Sequence, residues 1–157
     1  KMSEIHGMSQ RGGSVSSQVR YGDGKVHSPV IEVGGADILV SFERMEALRW
    51  LRFLKPGGKV IVNDYRINPM PVVSGKAEYP EGILEELRSK ADASVVDAAA
   101  KASELGNPKV MNVILLGAAV RSMGLGSIDW ARIIRENVKP AFVDLNLKAL
   151  KVGMGLV

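Results

Sequence analysis

Three short apolar runs, Ile38-Leu39-Val40, Val60-Ile61-Val62 and Val95-Val96, are too short for helices and do not alternate with polar positions. Gly, Pro, Asp or Asn bound each of them. Strands buried on both faces read this way, as in a parallel sheet. Between the runs the pattern takes a helical period. Glu43 to Leu54 places Met45, Leu48 and Leu51 on one stripe, with Arg44, Glu46, Arg49 and Arg52 largely off it. Pro56-Gly57-Gly58 then reads as a stop and a turn into the next strand. Glu81 to Lys90 repeats the arrangement with Ile83, Leu84 and Leu87. This β-α-β-α-β alternation predicts an α/β fold: a doubly wound, mostly parallel, Rossmann-like sheet with helices on both faces.

The last third reads as helical. Pro108 can open a helix whose residues Val110 to Met123 are apolar nearly all round, which predicts burial. Ser127 is a plausible N-cap for a helix carrying Ile128, Ala131, Ile134 and Val138, and Pro140 opens a final helix ending near Gly153. The first 35 residues differ. Gly and Ser crowd positions 7–17, Val15 to Tyr21 alternates, Gly22-Asp23-Gly24 signals a tight turn, and Lys25 to Ile31 reads as a returning strand. An inserted β-hairpin over Val15–Ile31 is therefore expected. No repeat or linker divides the chain, so residues 1–157 read as a single domain.

Composition narrows the chemistry. No apolar run reaches the roughly 18 residues of a membrane span; the longest candidate, Val110 to Val120, is interrupted by Asn112. The absence of cysteine excludes disulfides, thiolate zinc sites, a cysteine nucleophile and any Fe–S cluster held by this chain alone. Two histidines leave little for a metal centre, and no secretory leader is recognisable, so no membrane and a cytoplasmic location are expected. The 21 Lys and Arg against 17 Asp and Glu give a net charge of +4, but the basic residues are scattered and aromatics make up only 5%. Nucleic acid is therefore not the expected partner. A site for a phosphorylated cofactor fits the same charge.

One segment exceeds what a scaffold needs: His6-Gly7-Met8-Ser9-Gln10-Arg11-Gly12-Gly13-Ser14. Its glycines let backbone N–H groups approach an anion, and Arg11 supplies a planar fork for carboxylate or phosphate. His6 and Gln10 can add hydrogen bonds to the same group. The plainer alternative is a turn whose arginine pairs with a nearby acid. Asn63-Asp64 and Asp97 close strands, where ligands bind in open α/β sheets and where capping carboxylates also occur. Asn112, on an otherwise apolar helix, needs a hydrogen-bond partner if buried. These residues alone leave open a stand-alone, non-catalytic nucleotide- or phosphate-binding module.

The run from His6 to Val15, with Val19-Arg20-Tyr21-Gly22, resembles the 2-oxoacid:ferredoxin oxidoreductase family in its γ subunit or γ domain. Within that family the resemblance is to β subunits of the indolepyruvate branch. It continues through Ala36 to Glu43, Glu46 to Arg49, Leu54 to Gly58, Tyr79-Pro80, Leu105 to Pro108, Asn112-Val113 and Leu116 to Ala118. The Gln10-Arg11-Gly12-Gly13 core is the specific element, and order and spacing strengthen the rest. The resemblance implies an accessory subunit in a heteromer that oxidatively decarboxylates a 2-oxoacid, with coenzyme A as co-substrate and ferredoxin as acceptor. It also implies that thiamine diphosphate, Mg and 4Fe–4S clusters lie on a larger α subunit, with ferredoxin contacted indirectly. In that setting no residue here is catalytic. His6, Gly7, Gln10, Arg11, Gly12 and Gly13 would form a substrate- and coenzyme A-side loop, with Asn63, Asp64 and Asn112 supporting it. Family members usually begin with a strand, a glycine-rich turn and a long helix that nothing here matches, so an N-terminally incomplete domain is expected.

Overall fold

The computed structural model describes residues 1–6 and 14–157, with His6 as backbone. Three parallel strands, β3 (Ala36–Ser41), β4 (Leu54–Asn63) and β5 (Asp92–Val96), form a sheet in the order β3-β4-β5. Leu39, Val40 and Ser41 lie opposite Val60, Ile61 and Val62, which in turn face Ala93, Ser94 and Val95. Val60, Ile61 and Val62 are each fully buried. Because successive side chains alternate across a strand, they serve two cores. Ile61 joins α4 (Ala98–Glu104), α5 (Met111–Ser122) and α7 (Val143–Met154) through Ala98, Ala102, Ile114, Leu115, Ala118 and Ala149. Val60 and Val62 join α1 (Arg44–Trp50) and α3 (Ile83–Lys90) through Ala47, Ile83 and Leu87. The non-alternating runs thus have the two-sided helical cover that the pattern predicts.

The element boundaries follow local chemistry. Glu43 caps α1, its carboxylate accepting from the Glu46 N–H at 2.9 Å. Pro56-Gly57-Gly58 falls inside β4 rather than ahead of it: Ala36 is opposite Leu54 and Ile38 opposite Lys59, so the extra β4 residues are absorbed in an irregularity. Gly57 there takes φ +75°, a conformation open to glycine. A short α2 (Met70–Val73) lies in the long connection after β4. The α6 helix (Trp130–Asn137) starts two residues later than Ser127 implies, because Asp129 accepts from the Arg132 N–H at 3.0 Å and acts as the cap. Pro140–Phe142 forms a single 3-10 turn before α7.

Helices α5 and α7 cross with their backbones in contact. A Cβ on Gly117 would sit 2.2 Å from the Leu150 carbonyl oxygen, and one on Gly153 would sit 1.9 Å from that of Ile114. Gly153, expected only near a helix end, is buried and occupies the crossing.

The hairpin exists with a different second arm. The strand β2 (Val15–Val19) pairs antiparallel with β1 (Met2–His6), in register from Met2 opposite Val19 to His6 opposite Val15. Lys25–Ile31 is not a strand. Two side chains take the backbone groups that a ladder would have used: Arg20 donates to the Ser28 and Val30 carbonyls, and Gln18 accepts from the Ile31 N–H. Pro29 offers no N–H at all. The Gln-Arg-Gly-Gly segment is therefore the connection between β1 and β2. Among the described residues, no helix is long and apolar enough to cross a membrane.

Candidate functional site

Ser41, Asn63 and Val96 end the three parallel strands, and the connections that leave them define the edge where open α/β sheets bind ligands. Asn63 is fully buried and ties these connections together. Its amide donates to the Phe42 carbonyl at 3.2 Å and meets the Met111 sulfur at 3.3 Å, while its Oδ1 accepts from the Ala98 N–H at 3.0 Å. Asn63 thereby fixes the entry to α1, the start of α4 and the first residue of α5. Its neighbour Asp64 ion-pairs with Arg44.

A buried carboxylate that the sequence reading passed over organises this edge. Glu43 is 5% exposed, with Oε2 committed to the cap of α1. Its Oε1 accepts from the Tyr79 hydroxyl and, at 3.4 Å, from the Ile67 N–H. Three donors occupy the carboxylate, so it acts as a fastener and not as a free base. Burial, followed by the hydrogen bond and charge of Glu43, pushes the Tyr79 hydroxyl up to about 12. The connection 64–80 is thus held near both ends: Arg44 N–H donates to the Tyr65 carbonyl, and Tyr79 is pinned on Glu43. Above the Tyr79 ring, 4.2 Å from its centroid, lies the Arg66 guanidinium carbon.

Of the residues singled out from the sequence, Asn63 and Asp64 lie at this edge. Asp97 caps α4, accepting from the Ala100 N–H at 2.9 Å. Asn112 is exposed on the first turn of α5, where its Oδ1 accepts from the Val113 N–H, so the burial that would demand a partner does not arise. His6 ends β1 opposite Val15. Gly7, Gln10, Arg11, Gly12 and Gly13 lie outside the described residues. The residue that follows them, Ser14, donates to Glu46 in the first turn of α1 and accepts from the Trp50 indole at 3.4 Å. The chain therefore enters β2 alongside α1, with Ser14 between the first turn of that helix and its last residue. Both Glu43 and Tyr79 belong to stretches that carry the resemblance. No spacing rule joins positions 36 residues apart, so only the fold shows that they meet.

A half-open cavity of about 620 Å³ lies at the opposite, amino-terminal edge, lined among others by Arg20, Asp37, Lys55, Lys59 and Met123. Its charges are engaged within the chain, and Lys59 Nζ donates to the Ser122 carbonyl at 3.5 Å. Lys55 pairs with Asp37, whose carboxyl its hydrogen bond and charge hold below the usual carboxylate range, and Arg20 serves the 28–30 backbone. The carboxyl edge, with its buried fastener and convergent connections, is the stronger candidate. Among the described residues no three His, Asp or Glu side chains converge as metal ligands.

A three-stranded parallel sheet covered by helices on both faces, with a separate antiparallel hairpin beside α1, defines an α/β domain, and comparison with known proteins narrows it. Residues 1–156 match the pyruvate ferredoxin/flavodoxin oxidoreductase family, and the chain belongs to that family. It is 43% identical over 155 residues to the indolepyruvate oxidoreductase subunit IorB of Archaeoglobus fulgidus, covering 96% of this chain and 76% of that protein. The IorB subunit of Pyrococcus horikoshii is 40% identical over 162 residues, covering 98% and 79%. A 2-oxoglutarate synthase subunit KorC of Methanothermobacter thermautotrophicus is 26% identical, covering 98% and 76%. In fold, the chain is similar to the keto/oxoacid ferredoxin oxidoreductase gamma subunit of Geobacter sulfurreducens, with a TM-score of 0.64, 21% identity and coverage of 99% and 78%.

Proposed function

We propose that this chain is the accessory subunit of a heteromeric 2-oxoacid:ferredoxin oxidoreductase acting on indolepyruvate or a related aryl pyruvate. The reaction is oxidative decarboxylation to an acyl-CoA with reduction of ferredoxin. The observation that carries the reading is the 43% identity to an indolepyruvate oxidoreductase subunit across nearly the whole chain. The donor set agrees with a division of labour: without cysteine the chain offers no thiolate for an Fe–S cluster. The clusters, thiamine diphosphate and Mg belong in this reading to a larger partner subunit, where the thiamine group supplies the electron sink for decarboxylation. This chain, as one γ-type domain over 1–157 working in the cytoplasm, binds and orients. His6, Gly7, Gln10, Arg11, Gly12 and Gly13 form the loop on the substrate and coenzyme A side. Asn63 and Asp64 hold the strand ends behind it, and Asn112 stands on the neighbouring turn of α5.

The test is co-expression with a candidate large subunit, followed by purification through a tag on this chain. A complex that reduces ferredoxin in the presence of both an aryl pyruvate and coenzyme A is the expected result. A chain that purifies alone and binds only nucleotides or phosphate would favour the non-catalytic module instead.

A further inference from the structure

We propose that Arg66 is an oxyanion-binding residue at the carboxyl edge of the sheet, taking either the carboxylate of the 2-oxoacid or a phosphate of coenzyme A; the identity of these ligands rests on the function proposed above. Arg66 lies three residues beyond Asn63, in the connection that leaves the end of β4. Its side chain is held on two sides. The guanidinium carbon lies 4.2 Å from the Tyr79 ring centroid, and Nε donates to the Asn68 Oδ1 at 2.6 Å. The supports are themselves fixed: Tyr79 is 8% exposed with its hydroxyl on buried Glu43, and the N–H of Ile67, next in the chain, reaches the same carboxylate. Much of the conformational entropy that a free arginine loses on binding is therefore already spent.

What Arg66 lacks is an acid. Arg44, Arg49 and Arg132 pair with Asp64, Glu46 and Glu136. No carboxylate among the described residues lies within ion-pair distance of Arg66, and its two terminal nitrogens have no protein acceptor among those residues. The Glu43 carboxylate beneath the ring already has three donors. A solvent-reachable, pre-positioned guanidinium with both terminal nitrogens unused matches the two oxygens of a carboxylate or phosphate. Its place at the carboxyl edge of a parallel sheet is where ligands of such folds collect.

The experiment measures equilibrium binding to the purified heteromer by calorimetry, without turnover. The probes are coenzyme A, 3′-dephospho-coenzyme A and indolepyruvate, each against wild type, Arg66→Gln and Arg66→Lys. The expected result is a rise of about tenfold or more in at least one Kd for Arg66→Gln. Weakened coenzyme A binding with unchanged dephospho-coenzyme A binding assigns the 3′-phosphate. Weakening of both assigns the diphosphate, and weakening of indolepyruvate alone assigns the carboxylate. Should Arg66→Gln fail to assemble, Arg66→Lys keeps the charge but not the planar fork, and a Kd raised several-fold is expected. Unchanged Kd values in an intact heteromer, or wild type binding none of the probes, overturns the proposal. Wild-type turnover, assayed beside it, separates the two readings: an active heteromer with unchanged variants refutes Arg66 alone.

Discussion

Replacing Tyr79 by Phe removes one hydroxyl and keeps the ring on which Arg66 rests, which isolates the fastener from the stack. The hydroxyl donates to a buried carboxylate, and losing such a charge-assisted bond costs about 1.5–3 kcal/mol. Tyr79→Phe should therefore lower the urea midpoint at neutral pH. The pH dependence has a defined sign. Folding raises this group from the ordinary 10.0 to about 12, so between those values the folded chain binds more protons than the unfolded one, and stability falls as pH rises. The gap between wild type and Tyr79→Phe is complete below pH 10 and closes through about 12; a gap that stays constant to pH 12 would refute the assignment. At Arg11 the proposed loop predicts a different readout. Arg11→Ala in the assembled enzyme should raise the KM for coenzyme A or the 2-oxoacid, a loss of about 1.5–3 kcal/mol for a charged hydrogen bond. Steady-state kinetics, with association checked separately, decides it. Arg11 could be singled out from sequence because glycines flanking a guanidinium are a local signal. Glu43 could not, because its meaning is a partner 36 residues away.

Among the elements, the α5–α7 crossing depends on the absence of two Cβ atoms. Gly153→Ala would place a methyl group 1.9 Å from the Ile114 carbonyl oxygen, backbone that cannot turn aside as a side chain would. The helices must separate, and overpacking of this kind costs about 1–3 kcal/mol or more. Thermal denaturation should show Gly153→Ala and Gly117→Ala both destabilised. Gly126→Ala, where a Cβ would meet only the Met154 methyl at 3.8 Å, should be near neutral. Equal stability of all three would mean that the helices do not cross as closely as described. Sequence periodicity placed α5 and α7 and marked α5 as buried, since a helix apolar all round has no other home. It read Gly153 only as a terminus, because helix contacts at this distance leave no trace in one-dimensional spacing. The hairpin shows the converse. Val15 to Val19 alternates and is a strand, but alternation does not name the partner. Gly22-Asp23-Gly24 pointed downstream, while the Arg20 and Gln18 side chains satisfy that downstream backbone and β1 takes the ladder.

At the scale of the whole molecule, the two cores on either side of Val60–Val62 were legible from three apolar runs and the helical stripes between them. Buried two-sided strands admit few other arrangements. The chemistry is distributed differently from the fold. Glu43 and Asn63 are consumed by hydrogen bonds within the chain, Asp64 and Asp97 by an ion pair and a cap, which leaves cations to bind and no poised nucleophile or base among the described carboxyl-edge residues. The sequence holds no cysteine for electron transfer through a thiolate-bound cluster. The chain by itself should therefore reduce no ferredoxin with any 2-oxoacid, whatever coenzyme A is supplied. Activity should appear only when the large subunit is added, and because a partner that binds the folded form alone stabilises it by mass action, the melting temperature should rise with partner concentration over the same range. Turnover by the purified chain, measured as 2-oxoacid-dependent ferredoxin reduction with the partner excluded by mass spectrometry, is the result that would overturn this division of labour.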